Sequence, residues 1–157
     1  MRLHISTQLA IFAILELSTR AGEQLSVAEI GEKYGVSSHH LAKVMHVMGR
    51  AGLVRSVRGA GGGYQFTGNA RRITLLDIVQ LFEEQGSDPN GGGEATAEGQ
   101  ALRQVLAEID DISRATLGSI TLATMCKLVE RASAASGRSA ANKTAAKSAA
   151  KSVSRPA

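Results

Sequence analysis

The sequence predicts a mainly α-helical chain with three parts: a winged helix-turn-helix domain, a long dimerisation helix and a disordered C-terminal tail. Two short helical segments joined at a glycine, followed at once by alternating segments around a glycine run, predict the first part. A one-sided apolar helix over 98–119 predicts the second, and a change of composition after residue 132 predicts the third. At 157 residues the chain is the size of one average domain. The expected boundaries are 1–85 for the winged domain, 86–97 for a loop, 98–131 for the dimerisation helices and 132–157 for the tail.

Residues 5–18 place Leu9, Phe12 and Leu15 at helical spacing, and Ile5, Ile11 and Ile14 widen the apolar side. Apolar residues on most of the circumference predict a buried first helix. Ala21-Gly22 ends it. Ser26 and Glu29 have the spacing of a capping box and open a second helix carrying Val27, Ile30 and Tyr34. Gly35 suits the left-handed position after a helix. Ser37 is the next N-cap candidate, opening a third helix over 38–51 with Leu41, Val44, Met45 and Met48 on one face.

Polarity alternates from Val54 to Arg58 and again over Tyr64-Gln65-Phe66-Thr67. Between them lies Gly59-Ala60-Gly61-Gly62-Gly63. This predicts a β-hairpin with a glycine tip. Thr74 and Asp77 start a fourth helix to about Gln85. Gly86 to Gly93 reads as a loop. The helix at 98–119 carries Leu102, Val105, Leu106, Ile109, Ile112 and Thr116 on one stripe. Thr121 then caps a short helix through Leu122, Met125, Cys126 and Val129. From Ser133 on, the Ala/Ser/Lys-rich composition holds one large apolar residue, Val153. Such a segment cannot bury enough surface to offset its ordering entropy.

The net charge of +4 is unevenly placed. Residues 37–72 contain six basic side chains (Lys43, Arg50, Arg55, Arg58, Arg71, Arg72) and no acidic one. Residues 83–98 contain five acidic ones and no basic one. Residues 133–157 add five basic ones, and without them the balance is 13 − 14 = −1. Segregation of this kind points to a polyanion as partner.

On the third helix His39, Lys43, His46 and Arg50 are spaced 4, 3 and 4, opposite the apolar face, and Ser38 and His40 flank its N-terminal end. In a helix-turn-helix that end meets base edges in the major groove. Arg58 stands at the base of the hairpin tip, where an arginine can enter a narrow minor groove. Glycines there let the backbone approach phosphates. The expected DNA-facing set is Ser37, Ser38, His39, His40, Lys43 and Arg50 with Arg58, Gly59, Gly61, Gly62 and Tyr64. The bland alternatives are a solvated helix face and a tight hairpin with a surface arginine.

Other chemistry finds little support. His39 and His46 are roughly 10 Å apart along a helix, too far to share one metal ion. The glycine run lacks the Gly-Lys-Ser/Thr ending of a phosphate loop, since Tyr64-Gln65 follows Gly63. No Ser/His/Asp or paired-carboxylate arrangement is legible, and Asp110-Asp111 reads as a solvated edge, so no enzyme is expected. One cysteine, Cys126, excludes an internal disulfide framework. No apolar run is long enough to span a membrane. A cytoplasmic protein without a cofactor is expected, its partners double-stranded DNA and a second copy of itself. The stripe at 98–119 needs cover, either from its twin or from the first helix of the same chain.

Several segments resemble the Rrf2 family of bacterial winged-helix repressors. They are Met1-Arg2-Leu3, the Gly35-Val36-Ser37 turn, Gly49-Arg50-Ala51-Gly52-Leu53-Val54, Ile73-Thr74-Leu75-Leu76-Asp77-Ile78-Val79 and Ile120-Thr121-Leu122. The most specific is Ser56-Val57-Arg58-Gly59-Ala60-Gly61-Gly62-Gly63-Tyr64, which is similar to the family's wing signature. The resemblance covers roughly residues 1–131. It implies a dimeric, cytoplasmic transcription regulator, usually a repressor, with the wing arginine at Arg58 and recognition-helix contacts around Ser38, His39, His40 and Lys43. Members that bind an iron–sulfur cluster place three cysteines in the loop before the dimer helix. Here residues 86–97 contain none, so no cluster is expected. Two other readings stand beside this one. One is a winged helix used only for protein interaction. The other is a redox or metal sensor using Cys126.

Overall fold

The computed structural model describes residues 3–59, 61–83 and 96–136. Its elements in order are α1 (Ile5–Thr19), α2 (Val27–Tyr34), α3 (Ser38–Arg50), β1 (Val54–Val57), β2 (Gly63–Phe66), α4 (Leu75–Glu83) and α5 (Ala97–Ser119). A last helix, α6, covers 122–136. It runs past the expected boundary at 131, because alanine-rich sequence favours continued helix. Residues 132–136 are thus helical and not part of a disordered tail; the rest of the expected tail, 137–157, and most of the 86–97 loop lie outside the described residues.

The core forms around α1. Ala10, Ala13, Ile14 and Leu17 are fully buried, as the apolar surround of that helix requires. Leu41, Val44, Met45 and Met48 of α3 close over it from one side and Ile78 of α4 from another. Val54 and Leu122 complete the cluster. Every predicted cap forms. Ser26 Oγ accepts from the Glu29 amide at 3.1 Å and Glu29 Oε2 accepts from the Ser26 amide at 2.7 Å. Ser37 Oγ accepts from the His40 amide at 3.3 Å. Thr74 and Asp77 cap α4 reciprocally, and Thr121 Oγ1 accepts from the Thr124 amide at 3.2 Å. Gly35 adopts φ +64°, the left-handed conformation that ends α2.

β1 and β2 pair antiparallel, with Val54 opposite Phe66 and Val57 opposite Gly63. Two backbone pairings had no signature in the sequence. Leu25, between α1 and α2, bridges Tyr64 and adds a third edge to the wing. Thr74 bridges Thr121, and the Leu122 amide donates to Ile73 O at 2.9 Å. The second bridge fastens the start of α6 to the start of α4, so the C-terminal helices are anchored in the winged domain.

Among the described residues one carboxylate, Glu16, is buried. A buried charge needs partners. Glu16 bonds the Lys33 ammonium, pairs with Arg20 at 3.1 Å and accepts from the Tyr34 hydroxyl at 3.4 Å. The hydrogen bond to Glu16 raises the Lys33 pKa.

Candidate nucleic-acid interface

The turn between α2 and α3 is tight because of Gly31. The Val36 amide donates to Gly31 O at 2.9 Å, and a Cβ on Gly31 would stand 2.8 Å from Val36 O. This close approach brings Ser37 to the N-cap of α3 and sets the angle between the two helices. Ser38, His39, Lys43, His46 and Arg50 are all exposed, while Leu41, Val44, Met45 and Met48 are buried. One face of α3 thus anchors the helix and the other presents cations and imidazoles.

His40 differs from its neighbours. It is half-buried, and its Nε2 lies 3.3 Å from Ser6 Oγ on α1. This contact couples the start of α3 to α1. Arg50 sits in the last turn of α3, roughly 18 Å along the axis from Ser38, where the helix dipole favours a cation.

In the wing, Arg58 is exposed. Gly59 and Gly61 have φ of +122° and +77°, which L side chains rarely adopt. The Gly62 amide donates to Gly59 O at 2.9 Å, and a Cβ on Gly62 would meet Val57 O at 2.7 Å. Gly59 and Gly62 are therefore held in a hydrogen-bonded turn. Tyr64 is half-buried, packs on the core and pairs through its backbone with Leu25. Its side chain is largely committed to holding the wing.

Among the described residues nothing covers the α5 stripe. Leu102, Val105, Leu106, Ile109 and Ile112 are 51–68% exposed, and Thr116 is exposed with its hydroxyl donating to Ile112 O. Only the C-terminal end of α5 joins the domain, where Leu117 and Ile120 pack on the core. Cover for the stripe from α1 of the same chain, one of the two arrangements considered, is not found.

Sequence reasoning missed Leu25, Ser6 and the pairing of Arg55 with Gln65 across the hairpin. Each depends on tertiary proximity and leaves no local pattern. The close Gly63 packing was the one available signal, in the length of the glycine run.

Known proteins share this sequence and geometry. The Rrf2 family, described as an iron-dependent transcriptional regulator, matches residues 3–128. BadM of Rhodopseudomonas palustris, named as an HTH-type transcriptional regulator, is 44% identical over 131 residues, covering 83% of this chain and 84% of that protein. The solved structure of T. potens IscR is similar with a TM-score of 0.70 and 29% identity, over 84% of this chain and 90% of that one. That of CymR (YrzC), the global cysteine regulator of B. subtilis, has a TM-score of 0.69 and 26% identity, over 82% and 98%. The relatives are regulators and not enzymes.

The family's description names iron, but a cluster held by three thiolates of one chain does not fit these residues. Cys126 is the sole cysteine of the sequence. It sits half-buried on α6, its Sγ 3.3 Å from Ser18 Oγ of α1. With its winged fold, its matched length and its relatives in agreement, the chain belongs to the Rrf2 family of transcriptional regulators.

Proposed function

We propose that this chain is a homodimeric, cytoplasmic repressor that binds a palindromic operator without an iron–sulfur cluster. The observation that carries the reading is that α3 and the wing fold from one stretch, 37–72, which holds six basic side chains and no acidic one, with Lys43, Arg50 and Arg58 exposed. The exposed α3 face enters the major groove, with Ser38, His39 and Lys43 at base edges or phosphates. Arg58 enters the adjacent minor groove, whose narrowness focuses negative potential. The unburied α5 stripe supports pairing with a second copy, since five large apolar side chains in water favour association. A two-fold dimer places two α3 helices about one helical turn of DNA, or a multiple of it, apart. Seated on an operator, such a dimer blocks access to the underlying sequence. The basic residues of 137–157 add affinity that is independent of sequence.

The test is Arg58→Ala in a mobility-shift titration on the operator. Operator affinity falls at least tenfold with dimerisation unchanged. Equal affinity would remove the wing from the interface.

A further inference from the structure

Arg55 was not among the DNA-facing residues read from the sequence. In the structure it is exposed at the middle of β1, directly opposite Gln65 on β2. Its Nε and Nη2 both donate to Gln65 Oε1, at 2.9 and 2.6 Å. Gln65 is fixed in turn, because its Nε2 donates to Gly22 O at 2.7 Å across to the α1–α2 turn. The guanidinium is thus gripped by a neutral amide that is itself anchored. The ion pairs of Glu16 and Glu83 are made with Arg20, Lys33 and His4, and not with Arg55. Its positive charge is held in place but not neutralised, and its remaining N–H groups stay available.

We infer that Arg55 is a further DNA contact that binds a backbone phosphate, and that Gln65 is the residue that positions it. This rests on the DNA-binding reading above and extends it. A long arginine side chain normally loses rotamer freedom when it meets a phosphate. Here Gln65 has already removed most of that freedom, so less is lost on binding. A carboxylate in the place of Gln65 would orient Arg55 equally well, but would cancel the charge the phosphate needs. Arg55 lies between Arg50 and Arg58 in the stretch 37–72, which contains no acidic residue. A phosphate contact reads no sequence, so its effect is the same on every duplex.

The experiment measures affinity of the full chain for the operator and for an unrelated duplex, across a salt series, with thermal melts confirming the fold. Arg55→Met weakens binding to both duplexes by a similar factor and lowers the slope of log K against log salt by about 0.9, one phosphate's share. Arg55→Lys restores the slope and only part of the affinity. Gln65→Ala keeps the slope and loses affinity. An Arg55→Met protein with the wild-type slope overturns the assignment, whether or not its affinity falls, because a merely structural role moves affinity alone. A wild-type chain that binds neither duplex overturns the DNA-binding reading itself, and this inference with it.

Discussion

Leu25 and Tyr64 exchange a pair of backbone hydrogen bonds, the Leu25 amide donating at 3.0 Å and the Tyr64 amide at 2.8 Å. They lie 39 positions apart in the sequence. The pair fixes the wing to the turn before α2, and so sets where Arg58 stands relative to α3. It also explains Gly63, next to Tyr64. A Cβ on Gly63 would lie 2.4 Å from Leu25 O and 2.6 Å from its carbonyl carbon. Backbone cannot yield as a flexible side chain does. Gly63→Ala should therefore cost about 1–3 kcal/mol of stability, as overpacking does, and weaken DNA binding by tilting the wing. Denaturant unfolding checks the first part; an unchanged midpoint contradicts it.

The link between α1 and α4 makes stability depend on acid. Glu83 accepts from the Thr7 hydroxyl at 2.6 Å and the His4 amide at 2.8 Å. Burial pushes its carboxyl up, but these hydrogen bonds, with the His4 imidazole nearby, outweigh burial and leave its pKa below the ordinary value of 4.5. A depressed folded pKa contributes stability above the unfolded value, and that stability is lost as pH falls through the folded one. Glu83→Gln should therefore be less stable than wild type at neutral pH, by about 1 kcal/mol. The difference should shrink as pH drops below 4.5. Melting temperatures over an acid series measure this, and a gap that widens on acidification goes against it.

Oligomeric state follows from α5. Ile109 stands mid-stripe and is exposed in the single chain. Ile109→Glu should leave the melting of the winged domain nearly unaltered, because the side chain has no core role. It should halve the mass seen by light scattering, because a buried charge at a two-fold interface meets its own copy. A wild-type protein of monomer mass removes the dimer from the proposal.

Much of this fold was legible in the sequence because the signals are local. Capping at Ser26, Ser37, Thr74 and Thr121 follows from spacing alone, and so do the apolar faces of α3 and α5. Gly35 and the glycine tip mark backbone that other residues rarely adopt. What was not legible depends on tertiary proximity. Nothing near Leu25 announces a bridge, and nothing near Ser6 announces His40. Glu16 is buried in α1 only because Lys33, Arg20 and Tyr34 surround it, and those partners come from tertiary contact as well as from its own helix. The extent of α6 was misjudged because alanine suits both a helix and a disordered tail, and composition alone does not separate them. For the interface, exposure divided what sequence had grouped: His39 and Lys43 are free on the α3 face, whereas His40 and Tyr64 are partly engaged within the chain.

Selection from a pool of random duplex DNA by the full chain is the sharpest test of the interface formed by α3 and the wing. The homodimer reading requires an enriched site of two-fold symmetry, with half-sites about one helical turn or a multiple of it apart. That enrichment should be lost with Arg58→Ala. A pool that stays random after repeated rounds, from a protein that is folded and dimeric, would contradict DNA recognition by this surface.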